Sequence, residues 1–191
     1  MRIDRTRYAI AGLKDLISVI EGNNLTMVEL GCNIGKSTRI FAESGKFGKI
    51  HAVDYWVHND YDPFMDEVGE FGDLIETHKM HTDQAADAFR EGSLDFVYHD
   101  SEHSYNRLKK DIDLWGKKVR VGGYFGGHDH FSRNNKGVCA AVRAYMGFPV
   151  TFSDNSFLMR KGLNGWETPI VRQEAWSEQV KKVPNPNPDH L

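Results

Sequence analysis

The stretch Val28-Glu29-Leu30-Gly31-Cys32-Asn33-Ile34-Gly35-Lys36-Ser37-Thr38 decides the fold of this 191-residue chain. An apolar run leads into an acidic residue and a glycine, and a helix is predicted to begin after the second glycine. In open α/β folds, small molecules bind at such a loop, at the carboxyl edge of a parallel sheet. Gly31 and Gly35 would let the backbone approach a ligand closely, because glycine has no Cβ.

The spacing of these glycines narrows the class of ligand. The pattern is G-x-x-x-G, whereas a dinucleotide fingerprint is G-x-G-x-x-G, with its middle glycine against the pyrophosphate. Asn33 stands at the place of that middle glycine, so a ligand without a pyrophosphate fits the loop better. A phosphate-binding P-loop is disfavoured as well, since only three residues separate Gly31 from Gly35.

A second apolar strand, Lys49-Ile50-His51-Ala52-Val53-Asp54, ends in an acidic residue about twenty residues after the loop. A carboxylate at this place can accept both hydroxyls of a ribose. The combination of Glu29-x-Gly31-x-x-x-Gly35 with Asp54 resembles the class I S-adenosylmethionine (SAM) methyltransferases. The resemblance implies that the loop, including Glu29, Gly31, Asn33 and Gly35, holds the methionine and ribose part of SAM, and that Asp54 holds the ribose. The alternative is an ordinary βαβ turn with two solvated acidic side chains.

The composition excludes several other classes of protein. A net charge of −3 and a pI near 6.3 provide no basic field for nucleic acid. The apolar runs are only of strand length, and the first residues lack the apolar core of a signal peptide. The two cysteines do not make a disulfide framework. We therefore expect a cytoplasmic protein that has a small-molecule partner and neither nucleic acid nor a membrane as a partner.

Apolar strands alternate with helical patterns along most of the chain. Strands are predicted at 26–30, 49–54, 77–82, 94–99 and 121–126, with a closing hairpin at 150–152 and 157–160. This alternation predicts an α/β fold: a Rossmann-like, doubly wound, mainly parallel seven-stranded sheet with helices on both faces and a C-terminal antiparallel hairpin. Residues 1–165 are expected to form the methyltransferase domain, and residues 166–191 a C-terminal extension that is partly disordered.

The segment between Tyr55 and Asp73 does not fit this alternation. It is rich in acidic and aromatic residues, contains Pro63 and two glycines, and has weak periodicity. It is also long for a connection, which favours a lid or a binding loop. The alternative is a solvated acidic excursion at the surface.

A second informative stretch is Tyr98-His99-Asp100-Ser101-Glu102-His103, which follows the fourth strand, and it is matched by Gly127-His128-Asp129 after the fifth. If these strands are neighbours, Asp100 and Asp129 lie side by side at the carboxyl edge of the sheet. Two adjacent carboxylates repel each other unless one is protonated or a cation lies between them. Mg²⁺ often uses one or two protein carboxylates together with substrate oxygens, and His103 lies near enough in sequence to take a proton from a bound hydroxyl.

This stretch resembles methyltransferase family 24, which includes metal-dependent O-methyltransferases of macrolide sugars. The resemblance rests on Asp100-x-x-His103-x-Tyr105, Asp111 with Trp115, and Gly122-Gly123 running to Gly127-His128-Asp129. It implies that Asp100 and Asp129 bind a divalent metal and that His103 is the base. It also implies that Asp100 belongs to the cofactor-binding residues, and that the protein can form a homo-oligomer.

The sequence departs from the family at His128, where the sugar methyltransferases carry an acidic residue. Either two carboxylates and water suffice for Mg²⁺, or an imidazole joins them and Mn²⁺, Fe²⁺ or Zn²⁺ is preferred. We therefore include His128 among the candidate metal ligands. Asp83, after the third strand, is a candidate for the adenine amino group or for a helix N-cap. Asp111 and Asp113 are expected on a solvated helix face.

The sequence as a whole predicts a SAM-dependent O-methyltransferase that acts on a small hydroxylated acceptor, such as a sugar or a glycosylated metabolite. Two other functions stay open. One is a nicotinamide-dependent oxidoreductase on the same kind of sheet, although the chain lacks a Tyr-x-x-x-Lys pair near Tyr145. The other is a SAM-binding protein that no longer catalyses a reaction.

Overall fold

A computed structural model describes residues 5–57, 60–132 and 136–171, and the side chains from residue 10 onward. Its helices are α1 (Arg5–Val19), α2 (Lys36–Glu43), α3 (Tyr61–Val68), α4 (Thr82–Ala85), α5 (Tyr105–Lys118) and α6 (Lys136–Tyr145). Its strands are β1 (Leu25–Leu30), β2 (Phe47–Asp54), β3 (Ile75–Lys79), β4 (Leu94–His99), β5 (Val119–Gly127), β6 (Val150–Thr151), β7 (Phe157–Lys161) and β8 (Trp166–Glu167). Two 3₁₀ turns follow α3 and α4, at Gly69–Leu74 and Ala86–Ala88.

The strands form one sheet in the order β3-β2-β1-β4-β5-β7-β6. The first five are parallel, and β7 runs antiparallel to β5 and pairs with β6. The predicted Rossmann-like fold and its C-terminal hairpin are confirmed. The sheet has one strand more than the seven predicted, because β8 pairs with the outer edge of β7. A strand of only two residues leaves no alternating pattern in the sequence.

Both faces of the sheet are buried, as expected for parallel strands covered by helices. One face packs against α5 and α6, with Trp115 and Phe125 in its core. The other face packs against α1 and α2, with Phe41 and Phe96 in its core. The helices thus fix the sheet from both sides, and the loops at its carboxyl edge carry the polar residues of the site.

The segment after β2 is a packed helix and not a long irregular loop. Phe64 and Val68 of α3 are buried, and they pack with Trp56 and Cys32 in a third apolar cluster. Pro63 is tolerated because it lies in the first turn of α3, where its missing N–H has no helical partner. The short helix was missed because it shows only two turns of periodicity. Residues 58–59 lie outside the described residues, and a role as a lid stays a prediction.

The sheet continues past the predicted domain boundary at residue 165. Trp166 lies in β8, where its ring contacts Phe125 edge to face at 5.9 Å. It also covers Gly116, where a Cβ would lie 3.0 Å from the indole. Residues 172–191, which include Trp176 and the predicted disordered tail, lie outside the described residues. Within the described ranges, none of the helices has the length and apolar character needed to cross a membrane.

Candidate active site

The loop between β1 and α2 has backbone angles that favour glycine. Gly31 and Gly35 have φ angles of +87° and +85°, and Asn33 has a φ of +46°. A Cβ at Gly31 would lie 2.4 Å from the carbonyl oxygen of Asp100. This glycine therefore allows the loop to pack backbone to backbone against the chain that leaves β4.

Gly35 makes a different contact. A Cβ there would lie 3.0 Å from Val68 and 3.1 Å from Phe64, both on α3. The second glycine of the motif thus lets α3 pack against the start of α2. The sequence predicted that Gly35 approaches a ligand; the structure adds that it accommodates α3, and the ligand contact stays a prediction.

Glu29 is fully buried at the end of β1. The hydroxyl of Ser37 donates to one of its carboxylate oxygens, and the hydroxyl of Thr38 donates to the other at 2.5 Å. Burial raises the pKa of Glu29 from 4.5 to about 7, against the lowering effect of these two hydrogen bonds. Glu29 therefore ties β1 to the first turn of α2, and it supports the loop from behind.

Asp54 organises the same loop from β2. Three backbone N–H groups donate to its carboxylate: Cys32 and Asn33 to Oδ2, at 2.9 Å each, and Trp56 to Oδ1 at 2.7 Å. Each carboxylate oxygen has two lone pairs, so Oδ2 is fully used and Oδ1 keeps one. Asp54 can therefore accept one further hydroxyl, which is fewer than the two that the sequence led us to expect.

A cavity of about 400 Å³, here called the first cavity, opens where the loop, β2, β3 and β4 end. It brings together four of the predicted cofactor residues, namely Gly31, Asn33, Asp54 and Asp100. Glu29 lies behind the loop, and Gly35 faces α3. The first cavity is lined in addition by Val53, Tyr55, Met80, His81, Thr82, Ser101, Glu102 and Arg107.

Several of these lining residues were not predicted from the sequence. Tyr55 and His81 stack on each other, with ring centroids 4.4 Å apart and an angle of 13° between their planes. Both follow directly, or nearly so, on the last residue of a parallel strand. Asp54 was predicted because it lies at the carboxyl end of a strand. The same criterion, applied to the residues that follow each strand, would also have identified Tyr55 and His81.

Asp83 does not line the first cavity. It lies in the first turn of α4, where Lys110 of α5 donates to its Oδ2 at 2.5 Å. Arg107 lies 3.7 Å from the same oxygen. The N-cap of α4 is His81, so Asp83 is not the cap of this helix. A cofactor role for Asp83 stays a prediction, while the cavity wall at this strand end is made by Met80, His81 and Thr82.

The predicted carboxylate pair does come together, with an imidazole in its centre. His103 Nε2 lies 3.3 Å from Asp100 Oδ1 and 3.0 Å from Asp129 Oδ2. All three ligand atoms lie within 4.8 Å of one another, an arrangement that can hold a metal ion. Without a metal, a hydrogen bond to Asp100 raises the pKa of His103, with further help from the charge of Asp129. We call Asp100, His103 and Asp129 the carboxylate cluster.

His128 lies at the rim of the carboxylate cluster. Its Nδ1 is 3.6 Å from Asp129 Oδ1 and 4.0 Å from Asp100 Oδ1. His103 was predicted to be the base and His128 a metal ligand. Because His103 lies nearer to both carboxylates than His128 does, these distances do not decide which histidine has which role. Asp129 itself has a φ of +63°, a backbone conformation that residues other than glycine rarely adopt.

A second cavity, of about 680 Å³, lies on the other side of Asp100. Its apolar wall comes from Ile10, Leu13 and Ile40, and its polar floor includes Tyr98, His128 and Asp154. Asp100 lines both cavities. The carboxylate cluster therefore stands at the border between two spaces, each large enough for part of a small molecule.

Behind the first cavity lies a buried polar network that the sequence did not predict. Asp111 is fully buried, not on a solvated face, and accepts a hydrogen bond from Thr82 at 2.9 Å. Its other oxygen lies 3.1 Å from His99 Nε2 and 3.3 Å from Arg107 Nε. Thr82 and Arg107 both line the first cavity, so Asp111 positions two of its wall residues.

An open parallel sheet with a glycine loop and an acidic strand end beside one cavity is the arrangement of a SAM-dependent methyltransferase domain. Comparison with known proteins agrees. A family model described as a methyltransferase domain, that of methyltransferase family 24, matches residues 28–130, more than half of the chain. The chain belongs to methyltransferase family 24. No curated protein shows significant sequence similarity to it.

Solved structures share the fold at low sequence identity. An O-methyltransferase from Bacillus cereus, in complex with S-adenosylhomocysteine (SAH), is 15% identical, with a TM-score of 0.59 over 82% of this chain and 80% of that chain. A putative O-methyltransferase from Klebsiella pneumoniae is 13% identical, with a TM-score of 0.60 over 84% and 82%.

Other similar structures are much longer than this chain. A phosphoethanolamine N-methyltransferase from Haemonchus contortus is 17% identical, with a TM-score of 0.53 over 67% of this chain. The match spans 27% of that protein, and it spans 37% of a further similar structure, PH0851. At these identities the likeness concerns the fold, and the choice of acceptor has to be argued from the residues of this chain.

Proposed function

We propose that the protein is a SAM-dependent O-methyltransferase that acts on a hydroxyl group of a small acceptor, in the class of sugars and glycosylated metabolites. One observation carries this proposal: Asp100 lines both cavities and lies within reach of His103, which also contacts Asp129. A methyl donor in the first cavity and an acceptor in the second would meet at this cluster. The sequence-based expectations of a cytoplasmic location and of self-association are part of the proposal.

The first cavity suits the cofactor for reasons of shape and charge. SAM, when bound, supplies an electrophilic methyl group on a sulfonium. Asp54 accepts a hydroxyl at the remaining lone pair of Oδ1, and its grip on the loop holds Asn33 in place. The flat pair of Tyr55 and His81 offers a stacking surface for a base. Asp100 adds negative charge near the place where the cationic sulfonium would lie.

The carboxylate cluster supplies the base. His103 donates its Nε2–H toward Asp100 and Asp129, which leaves Nδ1 as the nitrogen that can take the proton of an acceptor hydroxyl. The resulting imidazolium is stabilised by Asp100 and Asp129, so the proton has a place to stay while the oxygen attacks. The acceptor oxygen would then attack the methyl group that bound SAM supplies, with SAH as the leaving group.

A divalent cation fits the same donors. Asp100 and Asp129 offer carboxylate oxygens, which suit Mg²⁺, and an imidazole from His103 or His128 would favour Mn²⁺, Fe²⁺ or Zn²⁺. A cation, when bound, lowers the pKa of a coordinated hydroxyl and so eases its ionisation. With a cation between the carboxylates, whichever of His103 and His128 is not a ligand is left to take the proton.

The test combines cofactor binding with a screen for methyl acceptors. Calorimetry with SAH measures the cofactor site, and release of SAH from SAM measures transfer to a panel of sugars and glycosylated metabolites. His103→Gln should keep SAH affinity and lower turnover by roughly 10²–10⁴-fold, the usual contribution of a positioned base. Asn106→Ala, an exposed change in the first turn of α5 just after His103, is the matched control.

Four outcomes would contradict separate parts of the proposal. Full activity of His103→Gln would remove its role as base. Full activity after chelation of metals would remove the cation and leave a metal-free base. Tight SAH binding with no transfer to any acceptor would favour a SAM-binding protein without catalysis, and binding of NAD in place of SAH would favour an oxidoreductase.

A further inference from the structure

We propose that His51, Glu76 and His78 form a second metal site, for a borderline divalent cation such as Zn²⁺. The three residues lie on the neighbouring parallel strands β2 and β3, away from the residues of the carboxylate cluster. His51 is opposite Glu76 in the register, and His78 is opposite Val53, two residues further along both strands. Since side chains alternate along a strand, all three point to the same face of the sheet.

The ligand atoms already have the spacing of a metal triangle. His51 Nδ1 lies 3.0 Å from His78 Nε2, and the nearest oxygens of Glu76 lie 3.8 Å from His51 Nδ1 and 3.7 Å from His78 Nε2. In a tetrahedral zinc site with bonds of about 2.0–2.1 Å, ligand atoms are about 3.3 Å apart. Rotation of the Glu76 side chain can bring one of its oxygens closer to both nitrogens, and the two imidazole nitrogens need to move apart by about 0.3 Å.

The surroundings favour a borderline metal over Mg²⁺. The donor set of two imidazoles and one carboxylate suits Zn²⁺, whereas Mg²⁺ prefers oxygen ligands and keeps its water. The two imidazoles are largely buried, with 15% and 14% of their side chains exposed, while half of the Glu76 side chain is exposed. This leaves a solvent side on which water can complete a fourth position.

One positive charge competes for this site. Lys49 Nζ lies 3.1 Å from Glu76 Oε2. It also donates to the carbonyl oxygen of Asp73 at 3.0 Å, so it keeps a partner when Glu76 turns to a metal. On the remaining side, the ring of Phe89 packs edge to face against His51, with centroids 4.9 Å apart. The same ring lies 5.7 Å from the ring of His78, so Phe89 covers both imidazoles.

A metal here would fasten β3 to the rest of the sheet. Among the described residues, β3 is the outermost parallel strand and pairs only with β2. The chain that leaves it, Met80-His81-Thr82, lines the first cavity. Zn²⁺ is therefore expected to raise the thermal unfolding temperature, independently of methyl transfer.

The test uses untagged protein that has been treated with a chelator and then desalted. Zn²⁺ is titrated against a chromophoric zinc chelator, which gives the number of sites and their affinities. His78→Gln and Glu76→Gln should each lower the zinc affinity of the proposed site at least tenfold. Mutation of a residue that only hydrogen-bonds to a metal ligand already lowers metal affinity by about 10–100-fold. Glu76→Gln is the second variant because its position is exposed and tolerates change, should His78→Gln fail to fold. The control is His81→Gln, an exposed histidine close by in the sequence.

Asp100→Asn separates this site from the carboxylate cluster. We expect Asp100→Asn to retain one zinc site of wild-type affinity, and we expect His78→Gln to lose that same site. It would be overturned if His78→Gln and Glu76→Gln bound zinc as the wild type does. It would equally be overturned if the only measurable site were lost in Asp100→Asn, or if the wild type bound no zinc at all.

Discussion

Replacement of Glu29 by glutamine should flatten the pH dependence of stability. Glu29 is fully buried, and burial raises its pKa from 4.5 to about 7. Between these two pH values the folded protein holds a proton that the unfolded chain has released. Stability is therefore fully present below about pH 4.5 and falls as the pH rises through the window to about 7.

The size of this effect follows from the shift of the pKa. One pKa unit corresponds to 1.36 kcal/mol, so the rise from 4.5 to about 7 costs about 3 kcal/mol once Glu29 is ionised. Because glutamine carries no charge at any of these pH values, Glu29→Gln should not lose this stability. Its amide can still meet the hydroxyls of Ser37 and Thr38, each of which can donate or accept.

The measurement is urea unfolding of both proteins at pH 5, 6, 7 and 8. The difference in unfolding free energy, variant minus wild type, should grow by up to about 3 kcal/mol from the lowest to the highest pH. His103, whose raised pKa also makes stability fall with rising pH, is present in both proteins and cancels in the difference. Glu21→Gln, an exposed change, should leave the pH dependence as it is. Parallel curves for the wild type and Glu29→Gln would refute the reasoning.

Two further predictions concern the loop and the cofactor. Gly31→Ala should destabilise the fold by at least about 2 kcal/mol in urea unfolding, because φ is positive there and a Cβ would lie 2.4 Å from a backbone atom. Gly45 also has a positive φ but has no neighbour within 4 Å, so Gly45→Ala should cost about 1 kcal/mol in the same measurement. Equal costs at the two positions would contradict the packing role of Gly31. Asp54→Asn should lower SAH affinity at least tenfold in calorimetry, while Asp83→Asn should change it less than twofold, because Asp83 is paired with Lys110 outside the first cavity. Loss of SAH binding in Asp83→Asn would restore its predicted contact with the adenine.

The sequence was sufficient to predict the sheet edge, because its signals are local. Each of the parallel strands β1, β2 and β4 is an apolar run, and an acidic residue lies within or directly after it. The prediction that Asp100 and Asp129 lie close together depended on one assumption, that β4 and β5 are neighbouring strands. The structure confirms this pairing, with His99 opposite Gly127. Periodicity and strand ends therefore carried the fold and the carboxylate cluster.

Some surroundings could not be predicted because they depend on contacts between distant parts of the chain. Asp111 looks solvated from its spacing in α5, but His99, Arg107 and Thr82 gather around it in the folded protein. Gly35 reads as a ligand glycine, but the helix that it accommodates lies more than twenty-five residues later. A local sequence pattern contains no information about partners that are distant along the chain, so these contacts could be found only from the structure.

The short strand β8 also bears on the solubility of shortened versions of the chain. β6 and β8 each pair with part of the outer edge of β7, so two strands of two residues cover an edge that would otherwise offer free backbone groups. Exposed edges of this kind invite pairing with another molecule. A version cut after residue 165 would uncover Arg160 and Lys161 on that edge and remove the indole that covers Gly116. Such a version is expected to aggregate, whereas one that keeps Trp166 and Glu167 retains its own protection against edge-to-edge association.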